Sequence, residues 1–198
     1  MKHAVIVTHP NPHSFNCAVA KAYVDAVTGF GDEVVVRDLY HLNFDPRLQA
    51  LEIPWAKGYA PGEDVIIERQ VLADAKVFVL VYPLWFNAPP AMMKGYIDRV
   101  FGMGFGYQPG GGGSEPLLSG RILVSFTSSG APDDWVERTG AVRALRAAFD
   151  DHIAEMCGLA VLGHHHVGGV TPGLSKEAVA ALLDGVRADA RRLFAPAT

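Results

Sequence analysis

Five short apolar runs, interleaved with helical patterns, constrain this chain more than any other feature. Ala4–Thr8 (AVIVT), Glu33–Arg37 (EVVVR), Lys76–Tyr82 (KVFVLVY), Arg121–Thr127 (RILVSFT) and Leu159–His165 (LAVLGHH) are apolar at consecutive positions rather than alternate ones. That is the pattern of strands buried on both faces, which occur in parallel sheets covered by helices. The intervening segments have helical spacing. Phe15, Ala18, Val19, Ala22, Tyr23, Ala26 and Val27 fall on one helix face, and Gly29 and Gly31 end that helix. Asp64–Ala75, Pro89–Phe101 and Arg138–Met156 read as further helices, the second opening on prolines that a first turn tolerates. A last helix begins near Ser175 and aligns Val179, Leu182, Leu183, Val186, Ala190 and Leu193. The expected architecture is α/β, a five-stranded parallel sheet with helices on both faces.

Two strand orders dominate such sheets, and both bind ligands beyond the carboxyl ends of the strands. The loops to inspect therefore follow strands one, three and four: HPNPHS (His9–Ser14), PLWFNAPP (Pro83–Pro90) and TSSGAPDDW (Thr127–Trp135). The first loop has no glycine, which excludes a Rossmann fingerprint, and a Walker A sequence is absent. Ser14 sits where a helix N-cap belongs, ahead of the N–H groups of Phe15, Asn16 and Cys17, which the helix leaves unpaired. Taken alone, this is either a simple cap or an anion site. Trp85 and Phe86 put an aromatic pair at the end of strand three, where it packs on something flat or remains a liability. The TSSG loop adds small donors. A phosphate site, flat aromatics and backbone donors together fit a flavin mononucleotide, whose hydride chemistry is its own.

The remaining features narrow the class. At 198 residues the chain reads as one domain over 1–198. A net charge of −4 without blocks of like charge argues against a nucleic-acid partner. No apolar stretch approaches a membrane span, and the run at Ala4–Thr8 is too short for a secretory leader, so a cytoplasmic location is expected. Cys17 and Cys157 have neither redox nor zinc spacing. Of the three consecutive histidines His164, His165 and His166, only the outer two share a strand face, and no metal is expected there. Lys94, Asp98 and Arg99 read as a salt-bridged helix surface. Leu39–Gly62 lacks a clear element, and Gln108–Ser119, with GGGGS, reads as a flexible loop tip.

Four stretches carry a family resemblance: HPNPHSFNxA after strand one, DLYHLNFDP after strand two, PLWFNAPPAMMKGYIDRVF at Pro83–Phe101, and GFGY at Gly104–Tyr107. The chain resembles the NAD(P)H:quinone oxidoreductases of the DT-diaphorase type, including the ancillary proteins of potassium-efflux systems. The resemblance implies a flavodoxin-like fold of strand order 2-1-3-4-5, a bound flavin and a homodimer with active sites at the subunit interface. It also implies ping-pong two-electron transfer from NAD(P)H to quinones or similar small acceptors. By position it assigns His9, His13, Phe15, Asn16 and Ala18 to the flavin phosphate loop, around the Ser14 cap read above as a possible anion site. Pro83, Leu84, Trp85, Phe86 and Asn87 would underlie the isoalloxazine, and Thr127, Ser128, Ser129 and Gly130 would meet its pyrimidine edge. Tyr107 would line the substrate pocket, with Trp135 covering it. The family's titratable Tyr–His pair falls near Trp135 and Ala141, neither of which titrates. The backbone donors of Ser129 and Gly130 are then expected to offset charge, and the proton must come from water or another residue. Trp55 and Tyr59 within Asn43–Gly62 favour FAD over FMN as the cofactor. The alternative reading is a flavin-binding regulatory subunit of a potassium-efflux-type system.

Overall fold

The computed structural model describes residues 1–196. In chain order, β1 (Lys2–Val7) leads to α1 (Phe15–Thr28), β2 (Glu33–Asp38), α2 (Glu63–Leu72), β3 (Val77–Pro83) and α3 (Ala91–Val100). A hairpin of β4 (Tyr107–Gly110) and β5 (Gly113–Pro116) precedes β6 (Ile122–Ser128). Then come α4 (Asp133–Thr139), α5 (Ala141–Arg146), a π-helical turn (Ala147–Asp151), α6 (His152–Cys157), β7 (Ala160–Val167) and α7 (Lys176–Phe194).

The five long strands form one parallel sheet in the order β2-β1-β3-β6-β7. The strands expected as fourth and fifth carry the labels β6 and β7 because the hairpin intervenes. Tyr107–Gly110 and Gly113–Pro116 pair antiparallel across a Gly111–Gly112 turn, so the expected loop tip is a two-stranded ribbon. Glycines permit it, since Gly113 takes φ +135°.

Alternation along the strands divides the core into two layers. Val5, Val7, Val77, Val79, Val81, Val124 and Phe126 face α1 and α7. Ala4, Ile6, Phe78, Leu80, Tyr82 and Leu123 face α2, α3 and the α5–α6 region. On α7 the face expected from periodicity is only partly covered: Val186 and Ala190 are buried, and Phe194 joins them.

Two expectations are corrected. The helix over Arg138–Met156 is interrupted at Gly140, whose φ of +67° ends α4, and again by the π-helical turn, which carries the fully buried Asp150. Arg99 is not on a helix surface. Lys94 and Asp98 do form an exposed i,i+4 pair, but the Arg99 side chain is buried under the Leu39–Gly62 segment. Its guanidinium donates to both Glu52 oxygens at 2.7 Å, to Asp64 at 2.6 and 2.9 Å, and to the Asp45 carbonyl at 2.5 Å. The N–H groups of Gln49 and Gly62 complete the Glu52 shell. Gly95 lets this strap close: a Cβ there would stand 2.1 Å from the Pro46 oxygen. The long connection is therefore an ordered strap fastened by one buried arginine.

Candidate active site

The first loop is shaped by Asn11. Its side-chain oxygen accepts from His13 N–H at 2.9 Å, its carbonyl accepts from Ser14 N–H at 3.1 Å, and its own N–H donates to His9 Nδ1 at 3.0 Å. These bonds fold the proline-broken segment back so that Ser14 caps α1. Ser14 Oγ takes the N–H of Cys17 at 3.2 Å, and the Ser14 carbonyl takes that of Ala18. The N–H groups of Phe15 and Asn16 remain without helical acceptors, at the positive end of a 14-residue helix.

A trough of about 410 Å³ opens over that helix end, within the size range of ligand sites. Loop one contributes His9, Asn11, Ser14, Phe15 and Asn16; the end of β3 contributes Pro83, Leu84 and Trp85; the end of β6 contributes Ser128, Ser129 and Gly130. The His9 and Trp85 rings stand edge to face at 6.0 Å and join the first two groups. Val170, Thr171 and Pro172, after β7, form the remaining wall. Sequence reasoning missed this fourth loop, although the rule that singled out strands one, three and four applies equally to the fifth.

The polar chemistry of the trough suits an anion. No carboxylate is among its lining residues. Asn16 is 3% exposed; its Oδ1 accepts from Ser128 Oγ at 3.0 Å, while its Nδ2 has no protein partner. Thr8 Oγ1, at the end of β1, is also buried and unpartnered. Buried donors left open in this way point to a ligand that supplies the missing acceptor.

The other expected residues lie elsewhere. His13 and Ala18 line an adjoining recess of about 260 Å³ on the far side of Ser14 and Phe15. Phe86 and Asn87 form the tip of a tight turn in which Trp85 and Ala88 exchange both backbone bonds. Both take positive φ, as a type I′ turn requires, and Phe86 is fully exposed rather than beneath the trough. Thr127 is buried behind the trough wall, bonded to His164 and His166. Tyr107 lines a different cavity with Phe101, His152 and Cys157, where burial raises its phenol pKa. Trp135 is half-exposed on α4 and lines none of these spaces. The Ser129 N–H is already bonded to the Val167 carbonyl at 3.0 Å, so of these two expected donors only the Gly130 N–H is open.

Residues 1–191 match the flavodoxin-like fold family. An uncharacterized NAD(P)H oxidoreductase of Haemophilus influenzae is 34% identical over 160 residues, covering 80% of this chain and 79% of its own. The ribosyldihydronicotinamide dehydrogenase [quinone] of Mus musculus is 27% identical over 178 residues, covering 80% of this chain and 77% of its own. Among solved structures, the NAD(P)H:quinone oxidoreductase from Methanothermobacter marburgensis superposes with a TM-score of 0.86 at 26% identity, covering 100% of this chain and 99% of that one. With the family match over residues 1–191 and relatives that agree over most of the length, the chain belongs to the flavodoxin-like family of NAD(P)H:quinone oxidoreductases.

Proposed function

We propose that the trough holds FMN and that the protein uses it to pass two electrons from NAD(P)H to quinones or similar small acceptors. The carrying observation is the open donor set at the α1 N-terminus: two backbone N–H groups and the buried Asn16 Nδ2, in a trough free of carboxylates. A phosphate monoester supplies the acceptor these donors lack. Sequence reasoning preferred FAD because of the Asn43–Gly62 segment, but that segment contributes no residue to the trough lining and is fastened to α3 instead. The trough as built needs only the mononucleotide.

The chain's own work is positioning. Pro83, Leu84 and Trp85 offer a flat apolar wall, and the Gly130 N–H is free to donate to a ring edge. When bound, the flavin supplies the hydride acceptor and donor. The expected kinetics are ping-pong, the nicotinamide and the acceptor binding in turn. A second copy of the chain is expected to cover apolar side chains that the single chain leaves in water, Leu51, Ile53 and Trp55 on the strap and Phe86 at the turn tip. Among the described residues no helix is long and apolar enough to cross a membrane.

The test is an anaerobic two-step experiment on FMN-loaded protein. NADH or NADPH should bleach the flavin band in the absence of any acceptor, and a quinone added afterwards should restore it. Bleaching that requires the quinone to be present would contradict the alternating scheme.

A further inference from the structure

The five-stranded sheet has one irregularity, near the start of β6 and so at the end of that strand away from the trough. Between β6 and β7 the register slips: Leu123 pairs with Val161, but Val124 pairs with Gly163. Leu162 is the extra residue of a bulge, and a slip of one residue sends every later side chain to the opposite face. From there on Ser125 pairs with His164, Phe126 with His165, and Thr127 with His166. His165 stacks on Phe126 at 4.8 Å toward α7 and pairs with Asp189. On the opposite face His164 meets the π-helical turn and His166 looks toward α4 and α5.

There they join a continuous chain of hydrogen bonds. Asp150, fully buried on the π-helical turn, meets His164 Nδ1 at 2.6 Å and accepts from Ser125 Oγ at 3.1 Å. His164 Nε2 lies 2.8 Å from Thr127 Oγ1, and Thr127 Oγ1 lies 2.9 Å from His166 Nδ1. His166 Nε2 lies 3.0 Å from Ser129 Oγ, which is also 3.2 Å from the Ala131 carbonyl. Ser129 lines the trough. Three other ionisable groups, Asp133, Glu137 and Arg143, border His166 across a cavity of about 400 Å³, and the Tyr82 phenol lies near Asp150.

We infer that Asp150, His164, Thr127, His166 and Ser129 form a proton relay that delivers one proton to the trough through Ser129 Oγ. The inference rests on the flavin reading only for what sits in the trough. It identifies the "another residue" that the untitratable Trp135 and Ala141 leave open. Reduction of a quinone by NAD(P)H consumes one proton for each hydride passed, so such a supply is required.

The chain has two fully bonded states. In the empty state every donor points toward Asp150. Ser129 O–H donates to His166 Nε2, His166 Nδ1–H to Thr127, Thr127 O–H to His164 Nε2, and His164 Nδ1–H to the carboxylate. In the loaded state His164 is an imidazolium paired with Asp150, and every other donor is reversed. His164 Nε2–H then donates to Thr127, Thr127 O–H to His166 Nδ1, His166 Nε2–H to Ser129, and Ser129 O–H to the Ala131 carbonyl. Delivery breaks the Ser129 O–H bond toward the trough while each proton behind it moves one bond forward. One proton leaves, His164 becomes neutral, and no electrons move. Bulk water reloads the chain through the cavity that His166 borders. The stored charge is placed on His164 because the Asp150 carboxylate lies 2.6 Å from its Nδ1, whereas burial, and then the neighbouring His164, hold the His166 pKa below its usual value.

The test is 15N NMR of the histidine rings in the apoprotein, from about pH 9 to about pH 5, spanning the ordinary histidine range. The expected result is His166 protonated on Nδ1 at high pH and switching to Nε2 as His164 becomes doubly protonated. A His166 tautomer that stays fixed while His164 titrates would overturn the relay. Thr127→Val removes the central hydroxyl while keeping its shape. It should uncouple the two rings and slow quinone reduction about tenfold, with FMN affinity unchanged because Thr127 does not line the trough. Coupled rings in that variant would also overturn the proposal. A tautomer switch in a protein that binds no flavin would leave the relay standing and remove the flavin reading; a fixed tautomer in a protein that binds FMN would do the reverse.

Discussion

Replacing Asn16 with Asp should weaken FMN binding by roughly two to three orders of magnitude, equivalent to about 3–4 kcal/mol. The substitution is nearly isosteric and keeps an acceptor for Ser128 Oγ, so the local packing survives. What changes is the atom at the unpartnered Nδ2 position. There a donor to a charged phosphate, with a net contribution of about 1.5–3 kcal/mol, becomes a carboxylate oxygen. Repulsion between two charges about 4 Å apart in a partly solvated site adds a penalty of similar size. Asn16→Ala, which removes the donor without adding charge, should lose only about tenfold, consistent with one charge-assisted hydrogen bond. The Asp variant should recover affinity at acid pH, because the bound anion raises the pKa of the new carboxyl and favours its neutral form. Quenching of flavin fluorescence during titration measures all three proteins. Equal affinities for wild type and Asn16→Asp would remove α1 from the binding site.

Arg99→Ala should destabilise the protein by about 3–5 kcal/mol, the usual cost of leaving a buried charge unpaired. The Arg99 and Glu52 side chains are each 3% exposed, so water does not compensate the loss. Lysine should rescue little, because the three donors of an ammonium cannot reproduce the five hydrogen bonds that the Arg99 guanidinium makes. The pH dependence is a second signature. Burial pushes the Glu52 carboxyl up, but hydrogen bonds from Arg99, Gln49 and Gly62 hold it down, at about 2. That value lies below the unfolded one of about 4.3, so Glu52 stabilises the fold above about pH 4.3 and this contribution is lost as pH falls toward 2. Without Arg99 the largest of these downward effects is gone and the folded value rises. The variant should then regain part of its deficit on acidification from about pH 7 to about pH 4. Urea unfolding at the two pH values measures this. FMN affinity should change little, since the strap does not line the trough.

What the sequence discloses and what it conceals follow from the range of the interactions. The strands are legible because burial on both faces requires apolar residues at consecutive positions. The α1 N-cap is legible because Ser14, Asn16 and the prolines act within a few residues of one another. Arg99 misleads because Lys94 and Asp98 beside it do form a surface pair, whereas its own partners, Glu52 and Asp64, arrive from 47 and 35 residues away. The facing of His164 and His166 depends on a bulge at Leu162 whose only local signal is the single glycine beside it, Gly163. Asp150 turns inward on a π-helical turn whose sequence, AAFDD, reads as ordinary helix. Phe86 and Asn87 belong to a recognisable motif, yet their positive φ takes them to a turn tip that the single chain leaves exposed.

The central claim is that this trough is a flavin site, and direct titration tests it. Apoprotein titrated with FMN should bind one equivalent per chain with a dissociation constant below about 1 μM, a free energy of about −8 kcal/mol. FAD should bind no more tightly, because the trough lining has no contribution from the strap. Absence of binding by both flavins, in a protein shown to be folded, would contradict the account.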